Sequence, residues 1–225
     1  MFKVPGKNRQ TSLLVEILMI VIGINVALWF EDWFQDLRDA ETEEQYLVDL
    51  RDDLLVDTSN LDSSIEWNEV KVSSLGNIVG RLDKLLEAPP EEQSKVIFAP
   101  SSYSFFQPSD FTYHSLQESG DFRLISNMDI KKGILRLDRR HKEIALMQSN
   151  FLQALDDGYI PLMMKSYDFV TGQVTDPTIV QDQSFKNFFV YTIQDTEMMI
   201  SHYERVRSQS AELIDEIDRE LSDRR

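Results

Sequence analysis

Eighteen residues near the start of the chain, LLVEILMIVIGINVALWF from Leu13 to Phe30, carry only two polar interruptions, Glu16 and Asn25. A hydrocarbon core about 30 Å thick takes about 20 mainly apolar residues as a helix. A soluble helix of that length would keep a polar face, whereas the apolar side chains from Leu13 to Ile22 cover every side of the cylinder. The stretch therefore predicts a membrane anchor over residues 13–34.

A cleaved leader is the rival reading, since it too has a basic start and an apolar centre. It needs small residues at a processing site, but the chain continues Trp29-Phe30-Glu31-Asp32-Trp33-Phe34. Trp29, Phe30, Trp33 and Phe34 are poor cleavage sites and good interfacial anchors, because amphipathic rings settle at headgroup depth. Lys3, Lys7 and Arg9 precede the span, with no acid among the first twelve residues. By the positive-inside rule residues 1–12 form a cytoplasmic tail and residues 35–225 lie outside the cytoplasm. Within the span, Gly23 and Ala27 make a small-xxx-small face for close helix approach, and Asn25 lies beside it. Glu16, near the cytoplasmic end, reads as a snorkelling carboxylate or as an intramembrane proton site.

Charge limits the partners. The net charge of −16 argues against nucleic acid, and between Glu31 and Asp57 eleven acids face two bases, Arg38 and Arg51. The chain has no cysteine, which excludes disulfides, thiolate catalysis and cysteine-ligated zinc. It has no Asn-x-Ser/Thr acceptor either, in keeping with a bacterial protein.

Beyond the anchor the pattern is helical. Leu54, Leu61, Asn68, Leu75 and Leu82 recur every seven residues, and Thr58, Ile65, Val72, Val79 and Leu86 follow in a second register. Such a seam serves either a coiled coil between chains or packing against later helices of the same chain. A long helix over about 35–87 follows, then a crossing loop over 88–110 broken by Pro89-Pro90. Helices are expected at about 111–119, 127–157, 161–170 and 184–222, with a solvated charged tail at the end. Strand-like alternation is nearly absent. The fold class is all-α: a transmembrane helix continuing into an extracytoplasmic bundle of about three long helices with short accessory ones.

Chemistry is sparse. His114, His141 and His202 lie too far apart in sequence for a zinc pair, and no His-Glu-x-x-His, Gly-x-Ser-x-Gly or phosphate-binding glycine motif occurs. His141 lies on the apolar stripe of its helix, where a buried, hydrogen-bonded histidine is the ordinary outcome. No catalytic, cofactor or metal residue is expected. The crossing loop and the helix after it offer one possible interaction patch, Phe105, Phe106, Tyr113 and His114.

Two stretches resemble a bacterial family of single-pass membrane proteins of uncharacterised function. One is Glu16-Ile17, Val21-Ile22-Gly23-Ile24 and Ala27-Leu28, followed by Trp33 and Tyr46-Leu47. The other runs from Tyr113-His114-Ser115 through Ser119-Gly120 and Leu124-Ile125 to Ser126-Asn127. The chain departs from that family in having Val15 where glycine is common, and Arg139-Arg140-His141 near the position of paired tyrosines. The resemblance implies a single-pass anchor with a helical external domain, and brings no activity and no catalytic residue.

The expectation is a non-enzymatic structural or interaction protein of the bacterial inner membrane. It would touch the lipid bilayer and assemble as a homo-oligomer or as an accessory subunit of a membrane-protein complex. The alternatives are an extracytoplasmic sensor or ligand-binding module, and an ion- or proton-conducting oligomer using Glu16.

Overall fold

The computed structural model describes residues 9–224, with side chains from residue 15 onward. The expected tail over residues 1–12, with its basic side chains, lies outside the described side chains. The fold is all-α, with two short strands.

Helix α1, Arg9–Val79, is 71 residues long and unbroken. At 1.5 Å per residue it extends for roughly 105 Å. Its apolar N-terminal part is long and apolar enough to cross a membrane, and that part buries nothing against the rest of the chain. The next stretch also stands alone: no residue between Phe34 and Glu43 is buried. Helical spacing supports it there, with Gln35 Nε2 donating to Asp39 Oδ1 at 2.6 Å and Arg38 Nη2 to Gln35 Oε1 at 2.9 Å.

A 3-10 turn, Leu82–Glu87, follows α1. The stretch expected as a crossing loop contains a helix, α2, Pro90–Phe98. Pro90 is the reason: at the first helical position its missing N–H costs nothing, so it starts a helix where it reads as a breaker. Helix α3, Phe111–Ser119, ends at Gly120, whose φ of +77° is the left-handed cap that glycine adopts without strain. Helix α4, Met128–Ala154, is capped by Asn127 Oδ1, which accepts from Asp129 N at 2.9 Å and Ile130 N at 3.3 Å.

Asp156-Asp157-Gly158 does not end this helix. A π turn, Leu155–Tyr159, carries the chain into α5, Ile160–Ser166. The wider turn lets Leu155 and Tyr159 both face inward, where Tyr159 stacks on Phe188 at 4.6 Å and donates to Ile97 O at 2.7 Å. The expected helix to residue 170 stops at Ser166, and Tyr167–Asp168 (β1) pairs antiparallel with Gln173–Val174 (β2). Asp182 caps the last helix, α6, Gln183–Asp223, accepting from Ser184 N at 2.7 Å.

Helix α6 packs along both α1 and α4. Nearer the apolar segment, Leu47, Leu54, Leu61 and Ile65 meet Ile130, Leu137 and Ile144 of α4 and Tyr203, Leu213 and Ile217 of α6. At the far end Leu75, Leu82 and Leu85 meet Tyr159, Met163, Phe185 and Phe189. Each such side chain contributes roughly 1.5–3 kcal/mol on burial.

The seam on α1 differs from its sequence reading in one lane. Leu54, Leu61, Asn68, Leu75 and Leu82 are buried as expected, and inside this chain. Of the second register, Ile65 is buried, Thr58, Val72 and Val79 are half-buried, and Leu86 is exposed. The lane that faces the core beside the leucines is Glu43, Leu50, Asp57, Ser64 and Lys71, also at seven-residue spacing. Four of its five members are polar, so it leaves no trace in a hydrophobic pattern. The charged end of α6 is solvated in part: Asp215, Arg219 and Asp223 are exposed, while Asp218 and Arg224 are half-buried and Arg51 Nε bonds Asp218 at 2.6 Å.

Candidate functional site

The polar side of α1 organises the chain that connects α2 to α4. Asn68 Nδ2 donates to Ser104 O at 3.1 Å, Asp57 Oδ1 accepts from Ser109 N at 2.7 Å, and Asp53 Oδ2 accepts from Thr112 N at 3.3 Å. Further along, Tyr46 donates to Asp121 Oδ2 at 3.1 Å and Glu43 Oε1 accepts from Ser126 Oγ at 2.8 Å. The connection thus runs antiparallel to α1, satisfied at each step by a side chain of that helix. Its backbone polar groups need such partners because they belong to no regular ladder.

This path lays α3 beside α4 and leaves a groove of about 370 Å³ between them. Phe106 forms its buried floor, held by Tyr203, whose hydroxyl accepts from Phe106 N at 3.1 Å and from Gln148 Nε2 at 3.0 Å. The rim is charged and paired: His114 Nε2 lies 3.0 Å from Asp110 Oδ2, and Lys142 Nζ lies 2.7 Å from Asp138 Oδ2. Between them sits His141, its ring 5.8 Å from that of Phe106. Its Nε2 is buried without a hydrogen-bond partner, contrary to the expected hydrogen-bonded core histidine. Burial lowers its pKa below the usual histidine value, against the pull of Asp138 and Asp110.

Behind the groove a narrow cleft reaches Asp57. Burial pushes that carboxyl up to about 6, the Ser109 hydrogen bond opposes the shift, and Asp53 and Asp110 add to it. The acids gather here because each serves the turn into α3: Asp110 precedes the helix, while Asp53 and Asp57 reach its backbone from α1.

Of the four patch residues read from sequence, the fold brings Phe106, Tyr113 and His114 to this groove and separates Phe105 from it. Phe105 stacks on Tyr103 at 4.4 Å and packs edge-on to Phe151 at 6.2 Å. Sequence reading missed Asp110 and Asp138, although their i,i+4 spacing to His114 and Lys142 places each pair on one helix face. Chemically the groove offers an apolar floor and a rim of alternating charge, suited to holding a polar ligand or peptide. Among the described residues no group of three or more histidine or carboxylate side chains is placed to hold a metal ion.

The residues of the apolar part of α1 lie apart from this groove. Glu16, Gly23, Asn25 and Ala27 are exposed along α1. Asn25 Nδ2 donates to Val21 O at 2.7 Å, so its amide is satisfied within its own helix. A Cβ added at Gly23 would meet no atom within 4 Å. Trp29, Phe30, Trp33 and Phe34 follow as a continuous aromatic run, with neighbouring ring centroids 5.3, 6.4 and 5.3 Å apart, all of them exposed.

No family model, curated protein or solved structure matches the chain.

Proposed function

We propose that this chain is a single-pass protein of the bacterial inner membrane whose helical domain lies on the periplasmic side. There it acts without catalysis, as an accessory or self-associating subunit of a membrane complex. The observation that carries the reading is the wholly exposed apolar part of α1, continuous with the helix on which the domain is built. An apolar rod of that length left bare in water is unfavourable, so lipid or another helix covers it. The bases before the span and the acids after it favour a cytoplasmic N-terminus. The open face at Gly23 and Ala27 favours a helix partner in the bilayer. The likeness to an uncharacterised family of anchored helical proteins points the same way.

The absence of cysteine makes a clean test. Ser208→Cys, on an exposed turn of α6, should react with a membrane-impermeant maleimide in right-side-out vesicles and not in inside-out ones. Light scattering in mild detergent should then give an assembly larger than one chain. Labelling only in inside-out vesicles overturns the orientation, and a strict monomer with no copurifying subunit overturns the assembly.

A second reading, a periplasmic ligand sensor, is favoured by the unpartnered Nε2 of His141 beside the groove. Saturable shifts of the His141 ring signals on titration with small-molecule mixtures would support it. An unresponsive ring would remove it.

A further inference from the structure

Lys71 occupies the core-facing polar lane of α1 and is only 7% exposed. Its Nζ stands 4.9 Å from the ring centroid of Phe151 and 6.0 Å from that of Trp67. Among the described residues that ammonium has no hydrogen-bond acceptor and no carboxylate within ion-pair distance. Asp195 acts on it only through space. The Asp195 carboxylate instead meets the Tyr191 hydroxyl, and its Oδ2 is left without a partner. Aromatic faces attract a cation, but they satisfy its N–H donors poorly, so the ammonium can take up an acceptor from the space beside it.

Lys71 opens onto a cavity of about 260 Å³, separate from the groove between α3 and α4. Trp67, Val70 and Ala99 give it apolar walls, and Ser74 adds a hydroxyl at its edge. The site thus has a cation without an ion-pair partner, a flat apolar wall and space. We propose that this cavity binds a small organic monocarboxylate, its carboxylate accepting from Lys71 Nζ and its apolar body lying against the Trp67 indole. A single ammonium with no arginine beside it suits one negative charge, and the nearby Asp195 opposes a more highly charged anion. Burial holds the Lys71 pKa down to about 8, and a bound carboxylate would raise it again.

The test uses the full chain in detergent micelles with Trp29→Phe and Trp33→Phe, leaving Trp67 as the sole indole. Cyclohexanecarboxylate should change the Trp67 emission saturably, while cyclohexylmethanol, its neutral counterpart, should not. In Lys71→Met the midpoint should rise at least about tenfold, a loss of one decade in affinity. The carboxylate-against-alcohol comparison stands on the Lys71-containing protein alone, should the variant fold poorly. No saturable change with the carboxylate, an equal response to the alcohol, or an unchanged midpoint in a folded Lys71→Met protein overturns the proposal.

Discussion

Arg224 Nη2 stands 2.8 Å from Glu43 Oε2, which ties the residue after α6 to the first buried side chain of α1 among the described residues. The other oxygen of Glu43 accepts from the backbone N–H and hydroxyl of Ser126, just before α4. One carboxylate in the middle of α1 therefore joins the start of α4 to the end of α6. Breaking a buried ion pair from one side costs about 3–5 kcal/mol, since the remaining groups stay desolvated and unpaired. Glu43→Ala should lower the unfolding free energy by about 3 kcal/mol in denaturant titrations. Arg224→Ala should cost less, because Glu43 keeps its Ser126 donors. Equal losses would show that the pair, not the bonds from Ser126, dominates.

Asp57 gives a pH-dependent prediction with a definite sign. Its carboxyl is raised from 3.8 to about 6 in the folded chain. Between those values the native state holds a proton that the unfolded state releases, so stability falls as pH rises through the window. Ionised Asp57 then costs about 3 kcal/mol at neutral pH, at 1.36 kcal/mol per pKa unit. Asp57→Asn should be more stable than the parent at pH 7.5 by about 1–3 kcal/mol, and the gap should close below pH 4. A gap that widens in acid would contradict the assignment.

Gly133 lies where α4 meets α6, and a Cβ there would come within 2.8 Å of Leu213 Cδ1. Alanine favours the helix by about 1 kcal/mol over glycine, while moving one flexible methyl costs a similar amount. Gly133→Ala should therefore stay within about 1 kcal/mol of the parent, and Gly133→Val should lose about 2 kcal/mol through overpacking. Thermal unfolding of the pair separates the two effects; equal stability would mean that the interhelix space is slack.

Gly23→Leu probes the apolar segment alone. An added Cβ meets no other part of the chain within 4 Å, so circular dichroism and thermal stability of the packed helices should not change. If the small-residue face seats another helix, light scattering should give a larger mass for the parent than for the variant. An undiminished assembly would place the association elsewhere.

Much of this architecture is legible in the residues, and the misses have physical causes. The leucines from Leu54 to Leu82 and the cap at Asn127 stand out because burial and capping select residue types that periodicity reveals. The lane of Glu43, Asp57, Ser64 and Lys71 hides because those side chains are polar, and their partners come from distant segments such as Ser109, Ser126 and Arg224. The groove shares that fate. Phe106, Tyr113 and His114 are conspicuous in sequence, but Asp138 and His141 join them only once α3 is laid on α4. Pro90 and Gly158 mislead for a local reason, since each is tolerated at a helix start or a widened turn as readily as at a break.

The unbroken run of α1 has a mechanical consequence. From Phe34 to Val79 it is a stiff lever of roughly 68 Å at 1.5 Å per residue. Leaning the apolar segment by about 10° swings the far tip sideways by roughly 12 Å, with no hinge to absorb the movement. A twist applied at Gly23 would likewise pass along an unbroken helix toward Leu75, so the aromatic cluster around Tyr159 is coupled to the posture of a segment it never touches.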